Sequence, residues 1–121
     1  MMPSDTCDID THHQAAPAEL RGAVPASNRA CSVWIQVCGE VDVSNHAQLQ
    51  AALSAVDLDG AHAVRLDLRH LTFCDTGGCW RLLRFERDAR LSGCRTSIHG
   101  ARRTVRTVLS LIAGAHQPPF A

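Results

Sequence analysis

From residue 31 onward the apolar residues of this chain switch repeatedly between a period of two and a period near 3.6. Over residues 32–39, Val33, Ile35 and Val37 alternate with Trp34, Gln36 and Cys38, the pattern of a half-buried strand. Leu49, Ala52, Leu53 and Val56 then recur at helical spacing, predicting an amphipathic helix of about three turns. Ser44 or Asn45 is placed to cap that helix, and Asn45-x-x-Gln48 resembles a capping box. Asp57-Leu58-Asp59-Gly60 stops it, and residues 62–68 return to period two through Val64, Leu66 and Leu68. After an Arg69-His70 turn, Leu71-Thr72-Phe73-Cys74 leads to Asp75-Thr76-Gly77-Gly78, and Cys79, Leu82, Leu83 and Ala89 then share one helical face. Ser92-Gly93 ends this second helix and Arg95–His99 reads as a short strand. Val105, Val108, Leu109 and Ile112 form a last apolar stripe, with Gly114 at the C-cap. Strands alternating with helices at this pitch predict an α/β fold, a small mixed β-sheet packed against amphipathic helices.

One domain is enough to hold these elements. Residues 31–121 form it, and residues 1–30, rich in Pro, Ala, Ser, Asp and His without period, read as a flexible tail with room for an edge strand near residues 20–24. With 45% hydrophobic and 20% charged residues the chain has the make-up of a soluble globular protein. No apolar run approaches the roughly 18 residues that span a bilayer. The start of the chain has neither the basic nor the apolar region of an export signal, so a cytoplasmic protein is expected. Six Cys then read as reduced small hydrophobes, since no C-x-x-C pair occurs and Cys74-x4-Cys79 is not a zinc spacing. His12–His13 is a weak metal doublet at most, and neither a cofactor nor a metal is expected. No Cys stands in a nucleophile motif and no phosphate-binding glycine loop appears, which argues against an enzyme.

The cations are twelve Arg and no Lys, and they are unevenly placed: residues 1–60 carry a net −6 and residues 61–121 a net +6. Spread along two helical segments, these Arg read as a solvated face rather than a nucleic-acid surface.

Residues 74–79 carry the most chemistry. Thr76 falls at the expected N-cap, where its hydroxyl would accept from a free backbone N–H. Gly77 and Gly78 leave the first turn bare, open to another surface, at a cost of up to roughly 1 kcal/mol each. The same residues are also ordinary turn formers. Trp80 points by helical phase away from the Cys79 and Leu82 stripe, either as an interface anchor or packed against a neighbouring loop or the tail.

The order Val64-Arg65-Leu66-Asp67-Leu68, Phe73, then Asp75-Thr76-Gly77-Gly78 opening a helix resembles the STAS domains typified by bacterial anti-sigma factor antagonists. Gly39-Glu40-Val41-Asp42 is similar to that family's Gly-Glu-Leu-Asp, and the Val105-x-x-Val108-Leu109 helix resembles its last helix. The resemblance covers about residues 31–114. It implies that Thr76 stands at the family's regulatory phosphorylation site, with Gly77 in place of a second Ser and Trp80 in place of a small residue. It implies further that a surface including Asp42, Ser44, Asn45, Asp75, Thr76, Gly77, Gly78 and Trp80 docks on an anti-sigma factor with GHKL-type serine/threonine kinase activity. Docking would release a sigma factor, phosphorylation of Thr76 would abolish docking, and a phosphatase would restore it; neither nucleic acid nor membrane is bound directly. The Asp-Thr-small-Gly turn also fits STAS accessory subunits of ABC-type lipid transport systems.

Overall fold

The computed structural model describes residues 8–13 and 32–121. Its elements are β1 (Asp8–His13), β2 (Ser32–Val41), α1 (His46–Ser54), β3 (Ala63–Asp67), β4 (Leu71–Cys74), α2 (Thr76–Leu91), β5 (Arg95–His99) and α3 (Arg103–Ala113). The expected alternation is present, and the mixed sheet with helices packed on it matches the fold class read from the sequence. One difference stands out: β1 lies within the segment read as a tail. The suggested edge strand near residues 20–24 falls outside the described residues.

The sheet runs β1-β2-β3-β5, with β4 paired to β2. β2 is the hub. It pairs antiparallel with β1, and its ten residues carry β3 along Ser32–Gln36 and β4 along Gly39–Val41, both parallel. The register slips between Gly39 and Glu40, where Gly39 takes φ 88°, a conformation that glycine adopts without strain. α1 connects β2 to β3 and α2 connects β4 to β5, the helical crossovers that parallel pairing requires.

Val33, Ile35 and Val37 of β2 and Val64 and Leu66 of β3 are buried against Leu49, Leu53, Cys79, Leu82, Val105 and Leu109 of the three helices. α1 is shorter than its apolar spacing suggests, ending at Ser54, so Val56 packs from the loop beyond it. In α2 the predicted stripe holds at Cys79, Leu82 and Ala89, but Leu83 is only partly buried and Glu86 takes a buried place. Glu86 is accommodated because its Oε2 accepts from Thr96 Oγ1 at 2.6 Å and Arg90 Nε at 3.1 Å. That bond also explains how β5 holds its place with Ile98 as its single fully buried side chain. A parallel bridge between Ile98 and Phe120 covers β5, with Arg106 stacked over the Phe120 ring. Sequence patterning gave no sign of that C-terminal contact.

Candidate functional site

β2 and β4 end side by side. Val41 pairs with Cys74, and the Asp75 N–H donates to the Val41 carbonyl at 3.0 Å, so the loops leaving the two strands are adjacent. Asp42 opens one loop and Asp75 the other. This is the carboxyl end of a parallel pair, where α/β sheets commonly place their sites.

The Asp42 loop is held by its own side chains. Asp42 Oδ1 accepts from the Ser44 hydroxyl and, at 2.9 Å, from the Ser44 N–H. These donors stabilise the carboxylate and hold Asp42 below the usual carboxyl range. Asn45 occupies the N-cap position of α1 but makes no side-chain cap bond. Instead Oδ1 accepts from the Asp42 N–H at 3.0 Å, and Nδ2 donates to the Glu40 carbonyl at 2.8 Å. With 5% of its surface exposed, Asn45 staples the loop from beneath rather than offering a contact. The expected cap, and the expected place of Asn45 on an outer surface, are corrected accordingly.

The second loop departs further from expectation. Asp75, not Thr76, is the N-cap of α2: its Oδ1 accepts from the Gly78 N–H at 2.8 Å. Thr76 is the first helical residue, exposed, and its hydroxyl has no hydrogen-bond partner among the described residues. The Asp is the better cap here because its ionised oxygen bonds more strongly to the N–H at a positive helix end.

The two glycines are also used differently. A Cβ on Gly77 would lie 2.4 Å from His46 Cε1, and one on Gly78 would lie 2.5 Å from Val41 Cγ1 and 2.7 Å from Cys74 Sγ. Internal neighbours fill the space that the sequence suggested was open to a partner. Gly78 is buried and presents nothing outward. His46, which sequence reasoning overlooked, is the linking residue. Its Nε2–H donates to Asp75 Oδ1 at 2.7 Å, and its ring covers Gly77, locking the start of α1 to the start of α2. No local pattern singles it out, since it joins positions 29 residues apart.

Asp42, Ser44, Asp75, Thr76 and Gly77 therefore share one end of the sheet, with Thr76 and Ser44 exposed on it. Trp80 follows one turn along α2, 46% exposed, with Arg84 over its ring at 5.2 Å. Cys74 and Cys79 lie beneath the turn. The Cys74 thiol, bonding to Cys79, holds the latter below its ordinary value, and Cys79 is fully buried. Among the described residues no group of three or more His, Cys, Asp or Glu could hold a metal ion, and no helix is long and apolar enough to cross a membrane.

The family described as "Mlab, STAS domain" matches residues 25–116, most of the chain. The chain belongs to the STAS-domain family. No curated protein matches its sequence. Among solved structures, this STAS domain resembles the anti-sigma factor antagonist SpoIIAA in its unphosphorylated form, at 22% identity and TM-score 0.60, over 80% of this chain and 83% of the other. It also resembles an anti-sigma factor antagonist from Mycobacterium paratuberculosis, at 19% identity and TM-score 0.66, covering 98% and 87%. The murine anion transporter Slc26a9 contains a similar region, with 16% identity and TM-score 0.62, covering 93% of this chain but 19% of the transporter. At these identities the likeness is one of fold.

Proposed function

We propose that this STAS domain is an anti-sigma factor antagonist, non-enzymatic and cytoplasmic, switched off by phosphorylation at Thr76. The observation that carries this reading is the exposed, unbonded Thr76 hydroxyl at the first position of α2, beside the Asp42 and Ser44 loop. A phosphate there adds about −1.5 to −2 charge at neutral pH, next to Asp75 and at a helix end whose dipole tolerates it. The fold survives while a partner surface matched to a neutral hydroxyl meets an unpaired charge, which costs several kcal/mol at an interface. The partner is an anti-sigma factor with GHKL-type serine/threonine kinase activity, and a phosphatase reverses the modification. The surface it meets comprises Asp42, Ser44, Asp75, Thr76, Gly77 and Trp80; Asn45 and Gly78 shape it from within.

The test incubates the protein with ATP and the GHKL-type kinases of its genome and locates phosphate by mass spectrometry. Phosphate appears on Thr76 and is absent from Thr76→Ala. Phosphate elsewhere, or none with any kinase, ends this reading. A second reading, an accessory subunit of an ABC-type lipid transport system, is favoured by the Asp75-Thr76-Gly77-Gly78 turn and by the Mlab description of the matched family. Recovery of an ABC ATPase instead of a GHKL ATPase with tagged protein selects it.

A further inference from the structure

Trp80, Arg84, Arg87 and Leu91 follow one another at intervals of four, three and four residues, so they form a single stripe along α2. All four are exposed, Trp80 by 46% and Leu91 by 69%, on the side of the helix away from Leu82, Glu86 and Ala89. Beside the stripe runs a cleft of about 620 Å³ between α2 and the end of α3, with Leu83, Ile112 and Ala113 in its lining. A solvent-facing stripe with a large apolar side chain at each end and two cations between is not explained by packing among the described residues.

Its charge has little compensation from α2 and the described residues that follow it. Glu86 is committed to Arg90 and Thr96, which leaves Asp88 as the one other acid on α2. None of residues 89–121 is acidic, whereas Arg90, Arg95, Arg102, Arg103 and Arg106 all lie there. A second copy presenting the same stripe would set Arg against Arg. Bases would need the open face of Trp80, which the Arg84 guanidinium covers at 5.2 Å. We propose that the stripe and cleft bind an acidic amphipathic helix of a partner protein, carrying apolar side chains about 16 Å apart, the length of eleven helical residues, and carboxylates between them. The Trp80 edge and Leu91 receive the apolar side chains, and Arg84 and Arg87 the carboxylates. The stripe extends away from the Thr76 end, and its use does not depend on modification of Thr76.

The 4-3-4 spacing reads the same in both directions, so one probe serves either orientation. It is a capped 15-residue Ala-based peptide with Leu at positions 2 and 13 and Glu at 6 and 9, compared with Gln and Lys counterparts. Binding is followed by Trp80 emission in Trp34→Phe protein. The Glu peptide binds saturably, the Gln peptide roughly tenfold more weakly, and Leu91→Ser weakens the Glu peptide by a similar factor. Arg84→Glu with Arg87→Glu abolishes binding of the Glu peptide and gains binding of the Lys peptide, with the circular dichroism spectrum unchanged. Thr76→Ala binds the Glu peptide as the unsubstituted protein does, so this result and the phosphorylation result are read separately. Equal affinity for Glu and Gln peptides, no saturable signal, failure of the charge exchange, or tighter binding of a single-stranded oligonucleotide than of the Glu peptide overturns the proposal.

Discussion

At the scale of single residues, the Asp75-Thr76-Gly77-Gly78 turn was legible as a motif, but its division of labour was not. Local sequence shows that an oxygen will cap a helix here, and it cannot show which one. Asp75 takes that role, so Asp75→Ala should cost about 1–2 kcal/mol in urea unfolding, whereas Thr76→Ala should change stability by less than about 0.5 kcal/mol. The reverse order would restore Thr76 as the cap. The glycines were misread for a related reason: the His46 ring that fills the space over Gly77 arrives from another element. Gly77→Ala in the native chain pushes that ring from Asp75 and offsets its own gain in helix propensity. In a His46→Ala background the same substitution should stabilise, by up to about 1 kcal/mol. A double-mutant cycle measures the difference, and additivity of the two changes would contradict the interlock. Gly78→Ala has no such relief, because its neighbours are core side chains. It should cost about 1–3 kcal/mol in either background.

At the scale of elements, the strands with clear alternation, β2 and β3, and the striped helix α3 were readable because one buried face dictates their period. β1 and β5 were poorly readable because neighbours and polar bonds define them more than apolar period does. The bend after β3 shows how polar groups do this. Asp67, only 5% exposed, accepts from Arg69 Nη2 at 2.8 Å, Arg69 Nε at 3.0 Å and the Arg69 N–H at 3.1 Å, fixing the turn that starts β4. The Arg69 side chain in turn lies over Gly100, where any Cβ would collide with it. These donors hold the Asp67 carboxyl below its ordinary value. Its contribution is therefore complete above about pH 5 and is lost as pH falls through the folded value. His99, held low first by burial and then by Arg65, acts in a higher window. The unfolded chain protonates that His first, near pH 6.5, so stability declines from neutral pH toward the folded value and then levels off. The unfolding free energy of Asp67→Asn in urea should fall by about 1–2 kcal/mol at pH 7 and lose the acid-side decline, while the histidine step persists and reaches to lower pH because the Asp67 charge no longer raises His99. A variant with an unchanged acid limb would show that Asp67 is not responsible for it.

At the scale of the whole molecule, the alternation of periods was sufficient for the fold class because each parallel connection has to cross the sheet through a helix. What it could not supply was the meeting of Asp42 with Asp75, which depends on β2 being long enough to pair with both β3 and β4. That pairing puts the exposed Thr76 on a frame whose core does not include it. The helix end favours an added negative charge by about 0.3–1 kcal/mol, and Asp75 beside it opposes by a similar amount. Arg81, whose Nη1 already donates to the Gly77 carbonyl at 3.0 Å, adds a cation from the next turn of α2. The opposing effects nearly cancel, so Thr76→Glu should unfold within about 0.5 kcal/mol of the unsubstituted chain and keep its circular dichroism spectrum. Binding to the proposed anti-sigma partner should nonetheless weaken at least about tenfold, measured by calorimetry on the same preparation. Equal affinity with an intact fold would remove charge at Thr76 as the switch. Weaker binding accompanied by a lowered unfolding midpoint would instead trace the effect to the scaffold, because a switch of this kind requires that affinity and stability respond separately to one charge.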